Sequence, residues 1–179
     1  MAIVIREGRA DELDQASVIL FAAFEQYRPP ADAPIAREVR EGFERYLRDV
    51  ADVRSRLGHA DLFVAVEADR IIGTGTLYRP AQSVAYPTEV HFKPWPREWA
   101  SLRLLSVDPV QRGRGIGRML TDARVRRARE LGAPAVVLHT SVEFEVSRAM
   151  YRRMGWERAP EYDYWPLPDR YAEAYVLPL

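Results

Sequence analysis

Val107-Asp108-Pro109-Val110-Gln111-Arg112-Gly113-Arg114-Gly115-Ile116-Gly117-Arg118-Met119-Leu120 is the stretch that decides how this chain is read. Before it, Leu102 to Val107 is a short, mostly apolar run of strand length. Pro109 stops that strand, because proline has no backbone N–H to donate. Glycines at 113, 115 and 117 let the backbone take φ > 0 and approach a ligand without Cβ clashes. From there Ile116, Leu120 and Ala123 fall at helical spacing, with Met119, Ala128 and Leu131 on the same stripe. Gly132 and Pro134 end the predicted helix. A glycine loop feeding a helix presents unpaired N–H groups and the positive end of the helix dipole, which suits an anion and a phosphate above all. Arg112, Arg114 and Arg118 add full charges beside it.

Three phosphate-loop patterns compete for this stretch. GxxxxGK(S/T) fails, because no Lys-Ser/Thr pair follows the glycines. GxGxxG fails, because it needs glycine where Arg118 stands. Gln/Arg-x-x-Gly-x-Gly/Ala fits as Arg112-Gly113-Arg114-Gly115-Ile116-Gly117. This resembles the pyrophosphate loop of the GCN5-related N-acetyltransferases (GNAT), which binds coenzyme A. About thirty residues on, Ser147-Arg148-Ala149-Met150-Tyr151-Arg152-Arg153-Met154-Gly155-Trp156 is similar to that family's A-x-x-(L/M)-Y-x-x-x-G-(F/W) segment. The resemblance covers roughly residues 101–158. Two departures stand inside it. Many members carry Asn where this chain has Phe144, and Ala where it has Ser147.

The resemblance implies an α/β (α+β mixed sheet) fold. Its central sheet would be mostly antiparallel, with a parallel pair formed by the fourth and fifth strands, flanked by helices. It implies acetyl-CoA as acyl donor, bound by Leu105, Ser106, Val107, Arg112, Gly113, Arg114, Gly115, Ile116, Gly117, Arg118, Ser147 and Tyr151. It implies N-acetyl transfer to a primary amine of a small molecule or peptide, by direct attack in a ternary complex. It allows a homodimer without requiring one. The whole of 1–179 is expected to be a single domain.

Composition narrows the field. A hydrophobic fraction of 47% and an aromatic fraction of 11% are globular values. Basic and acidic residues balance at 26 each, so no global field favours nucleic acid or an anionic membrane. The arginines of the 116–131 helix are answered by Asp122 and Glu130. Cysteine is absent, which removes disulfides, thiolate metal sites and a cysteine nucleophile, and no other metal-ligand pattern is expected. No apolar run approaches the roughly 20 residues of a membrane span. The N-terminus alternates Ile3 and Ile5 with Val4 and Arg6 and lacks a signal-peptide pattern, so a cytoplasmic location is expected.

Elsewhere, residues 2–7 read as a strand, and Asp11 to Tyr27 as a helix with Asp11 as its N-cap. After the Pro29–Pro34 break, residues 37–57 read as a second helix. Residues 61–67 and 70–79 read as a hairpin turning at Ala68-Asp69, with Gly73 and Gly75 marking a bulge or a close backbone approach. Residues 80–100 hold four prolines and several aromatics, and read as a surface loop or an acceptor lid. Residues 134–140 read as a buried strand and 145–154 as a helix. Residues 155–158 and 172–177 read as final strands, with 160–171 as loop.

Acyl transfer needs a held donor, a polarised carbonyl, a neutral amine and a proton for the departing thiolate. A backbone N–H around Leu105 to Val107 is the candidate for polarisation. Tyr151 is the candidate proton donor, since a phenol keeps its proton at neutral pH. His139, at the end of its strand, is the candidate base, with His91, Glu89 and direct loss of the proton to water as alternatives. Tyr27, Tyr86 and Trp95 are the candidate acceptor-binding residues. A rival reading is an acyl-CoA-binding or sensor domain that kept the fold and lost transfer.

Overall fold

A computed structural model describes residues 2–82, 93–167 and 170–179, the side chains of 166, 167 and 170 excepted. Tyr86, Glu89 and His91 lie outside the described residues. The strands are β1 (Val4–Glu7), β2 (Ala60–Glu67), β3 (Arg70–Tyr78), β4 (Ala100–Val107), β5 (Ala135–Ser141), β6 (Glu157–Arg158), β7 (Tyr164–Leu167) and β8 (Arg170–Pro178). The helices are α1 (Leu13–Glu25), α2 (Arg37–Ala51), α3 (Ile116–Glu130) and α4 (Glu145–Arg153). Hydrogen bonding orders the strands β1-β2-β3-β4-β5-β8-β6, with β7 paired to β8. β4 and β5 are parallel over Ala100↔Val136 to Leu102↔Leu138. The ladders of β1 with β2 and of β5, β6 and β7 with β8 are antiparallel. The expected mixed α/β sheet with its parallel β4–β5 pair is therefore present.

Contacts divide the chain into two compact units. The first is Met1–Thr76 with Leu104–Arg124, and the second Leu77–Arg103 with Val125–Leu179. In the first unit, α1 buries Leu13, Ala16, Leu20, Ala23 and Phe24, while α2 buries Phe43, Leu47 and Val50 at helical spacing. Tyr46 joins the two helices through an edge-on contact with Phe24 at 5.8 Å between centroids. The hairpin turn Ala68-Asp69 has φ of 50° and 57°, the two positive angles a type I′ turn demands.

The second unit is built on β5 and β8, which pair over seven residues from Ala135↔Pro178 to Ser141↔Ala172. Trp95, Val137, Ala159, Tyr162 and Ala174 form one buried cluster there. α4 ends in a left-handed Gly155 (φ 83°), and the N–H of Trp156 returns to the carbonyl of Tyr151 at 3.1 Å. The Trp156 ring then packs on the Tyr151 ring at 5.6 Å. This helix stop, with its apolar contact across the cap, is the physical reason for the spacing Tyr-x-x-x-Gly-Trp.

Two expectations are corrected. Asp11 is not an N-cap: residues 10–12 form a 3₁₀ turn, and Glu12 takes the Arg9 N–H at 2.8 Å instead. Residues 160–171 are not all loop. Pro160–Tyr162 is a 3₁₀ turn, and Tyr164–Leu167 is a strand on β8 whose proline at 166 masks it in the sequence.

Candidate active site

The glycine loop stands on the first unit. β4 ends at Val107, Asp108 accepts the Val110 N–H at 3.1 Å, and Pro109–Gln111 make one 3₁₀ turn. Gly113 and Gly115 have φ of 79° and 77°, and a Cβ at either would meet nothing within 4 Å. Glycine is therefore required here for the turn itself, and it leaves open space over the backbone. The first intrahelical bond of α3 runs from the Met119 N–H to the Gly115 carbonyl at 3.0 Å, so the amides ahead of it have no acceptor within the helix. Residues 112–115 are exposed and Ile116 is buried, which anchors the helix start beneath an open loop. No acidic residue occupies the first turn of α3. These features fit a diphosphate, whose charge the helix end and free amides accept.

The arginines of the loop already have partners. Arg114 makes a two-pronged ion pair with Glu67 at 2.8 and 2.9 Å and also reaches Gln111. Arg112 donates to Gln26 Oε1 at 2.8 Å, and Arg118 stands 3.6 Å from Asp122. The hydrogen bonds from Arg114 hold the Glu67 carboxyl below its usual range. Sequence reading missed Glu67 and Gln26, since nothing local links either to a loop 47 or 86 residues away.

α3 lies close on β3. A Cβ at Gly73 would stand 3.1 Å from Ile116 Cγ2 and 3.2 Å from Leu120 Cδ1. Gly75 faces the fully buried Arg124, which donates to the carbonyls of Leu120 (3.1 Å) and Thr76 (3.2 Å) and to Thr121 Oγ1 (3.3 Å). In β4, Leu104 takes a left-handed φ of 56°, a kink just ahead of Leu105, Ser106 and Val107. Ser106 on β4 and Thr74 on β3 are buried, and neither hydroxyl has a partner among the described residues. Tyr27 follows α1, half-buried, its N–H on the Phe24 carbonyl.

Tyr151, Ser147, His139 and Trp95 belong to the second unit. Ser147 is one turn before Tyr151 on α4, half-buried on the same side of the helix. Tyr151 is 5% exposed, with its ring between Trp156 (5.6 Å) and Tyr175 (6.4 Å). Trp95 is buried and stacks at 5.1 Å on His139, which meets Tyr164 edge-on at 4.5 Å. His139 Nε2 donates to the Tyr162 carbonyl at 2.7 Å. Desolvation pushes the His139 pKa down to about 4, so the ring is neutral at physiological pH.

Side chains alternate along a strand, so the pairing of β5 with β8 sorts these residues. Ala174, opposite His139, belongs to the Trp95–Tyr162 cluster, whereas Tyr175, opposite Leu138, packs on Tyr151. His139 with Trp95 and Tyr151 with Ser147 therefore occupy opposite faces of the same ladder. Among the described residues no cluster of His, Cys, Asp and Glu is arranged to hold a metal, and no helix is long and apolar enough to cross a membrane.

Comparison with known proteins gives one family. A mycothiol acetyltransferase from Geodermatophilus obscurus is 29% identical over 101 residues, 55% of this chain and 29% of that protein. A Mycobacterium leprae protein is 30% identical over 113 residues, 62% of this chain and 26% of its own length. The matched stretch thus spans only between a quarter and a third of these curated relatives. An N-acetyltransferase from Staphylococcus aureus Mu50 superposes with a TM-score of 0.65 at 19% identity, over 99% of both chains. The paia N-acetyltransferase of Thermoplasma acidophilum, solved with coenzyme A, gives 0.63 at 15% identity, over 97% of this chain and 98% of that one. The model of the acetyltransferase (GNAT) family matches residues 21–156. This chain belongs to the GNAT acetyltransferase family.

Proposed function

We propose that residues 1–179 work as one catalytic domain that moves an acetyl group from acetyl-CoA to a primary amine of a small molecule or peptide. The observation that carries this reading is the exposed loop of residues 112–115 leading into the N-terminus of α3, whose first amides have no acceptors within the helix. Acetyl-CoA, as acyl donor, supplies the thioester. The backbone of residues 112–118 holds its diphosphate, and Arg112 and Arg118 neutralise the charge. A backbone N–H beyond the Leu104 kink, within Leu105 to Val107, stabilises the oxyanion as the amine attacks directly. Ser147 contacts the pantetheine arm, and Tyr151 gives its hydroxyl proton to the sulfur as the C–S bond breaks. Tyr27, half-buried after α1, shapes the acceptor side. A neutral His139 with a pKa of about 4 is a weak base, and its Nε2 is already committed, so the ammonium proton leaves to water.

The same observation on His139 favours a second reading, an acyl-CoA sensor without transfer. The discriminating experiment follows thiol release from acetyl-CoA with a fixed amine panel: n-butylamine, a lysine-containing peptide and a peptide with a free N-terminal alanine. Transfer predicts release with at least one amine and a sharp loss in Tyr151→Phe. CoA binding without release, unchanged by that substitution, would support the sensor.

A further inference from the structure

Glu173 on β8 has three close donors around one part-buried carboxylate. Arg148 Nε and Nη2 reach it at 2.7 and 2.9 Å, and the Tyr175 hydroxyl at 2.8 Å. Arg158 Nε stands further off, at 3.9 Å. Only 13% of the Glu173 side chain is exposed. Desolvation works against its charge, but the hydrogen bonds from Arg148 and Tyr175 outweigh it and keep the carboxyl ionised. Arg148 precedes Tyr151 by three residues on α4, so the two share a side of the helix. Arg148 also donates to the Val142 carbonyl at 3.1 Å, pinning the connection between β5 and α4. Tyr175 is 1% exposed, and its ring lies against the ring of Tyr151.

We propose that Glu173 is a positioning residue for Tyr151. Through Arg148 it fixes the rotation of α4 about its axis, and through Tyr175 it fixes a ring on which Tyr151 packs. The other ring, Trp156, is fixed by the helix cap. The inference rests on the reading of Tyr151 as proton donor. A carboxylate is required, because an amide offers one acceptor and turns its N–H₂ toward the guanidinium.

The test is thiol release from acetyl-CoA with the same amine panel, in single and paired variants. Glu173→Gln is expected to lower kcat about tenfold while KM for acetyl-CoA stays within about twofold, and Arg148→Met to do the same. In a Tyr151→Phe background Glu173→Gln is expected to change nothing further, since what it disturbs has gone. Tyr175→Phe removes one donor and keeps the ring. It gives a smaller loss of the same kind, and it stands in should Glu173→Gln fail to fold. An equal loss in both backgrounds, or an effect on KM alone, overturns the positioning role and leaves Tyr151 as donor intact. A wild-type kcat in Tyr151→Phe overturns the reading of Tyr151 itself, and the positioning role with it.

Discussion

A Cβ on Gly75 would lie 2.7 Å from Cζ of Arg124. The guanidinium lies against the bare backbone of β3, so a Cβ there must push it off its hydrogen bonds to Leu120, Thr76 and Thr121. Gly75→Ala is therefore expected to cost about 1–3 kcal/mol by overpacking, read from urea denaturation. With Arg124→Leu already in place the same change is expected to cost less, because the crowding atoms are gone. Equal costs in the two backgrounds would show that the contact does not limit this position.

Thr74 presents the converse case, a buried hydroxyl with no partner among the described residues. Valine has nearly its shape and no group to desolvate. Thr74→Val is expected to be neutral or to stabilise by about 1 kcal/mol. A loss of 2 kcal/mol or more, on the scale of a lost buried hydrogen bond, would reveal an ordered water there.

Acid should weaken the fold in two steps. The Glu12 carboxyl, hydrogen-bonded by Arg6, has its pKa lowered from 4.5 to about 2. Its stabilisation is complete above pH 4.5 and is lost as pH falls through that window toward 2. His139 is lowered by desolvation from 6.5 to about 4, so protonation favours the unfolded chain and stability drops earlier, between those values. Denaturant midpoints taken from pH 7.5 to 3 should show both, and Glu12→Gln should shrink only the lower step, the rest of which comes from Glu67, Asp163 and Glu173, whose carboxyls are also lowered. A single step, or one unchanged by Glu12→Gln, contradicts the assignment.

The Glu67–Arg114 pair sets a charge beside the loop. Glu67→Gln leaves Arg114 uncompensated there, so CoA is expected to bind roughly three- to tenfold tighter at low salt, a gain that fades as salt screens it. Calorimetric titration at two ionic strengths reads this. Weaker binding at both would mean that the ion pair shapes the loop rather than taxing it.

Local chemistry made much of this legible. The glycines at 113 and 115 and Pro109 have backbone requirements readable from residue type alone, and the Ala68-Asp69 turn was readable from the strand patterns on either side of it. Gly75 was readable as a close approach, but not its visitor, since Arg124 comes from 49 residues on. The same holds for Glu67 with Arg114 and for Glu173 with Arg148, whose partners meet only through the sheet. β7 was hidden because its proline argues against a strand, and its edge pairing on β8 tolerates one. His139 looked available at a strand end, and only the fold half-buries it against the rings of Trp95 and Tyr164.

Calorimetric titration of the purified chain with CoA reads the grip of the 112–118 main-chain amides on its diphosphate. Saturable one-to-one binding is expected, weakened about tenfold or more in Gly115→Val, which strains the φ of 77° while circular dichroism shows the fold retained. No heat with the wild-type chain, or undiminished binding in a folded Gly115→Val, would contradict it.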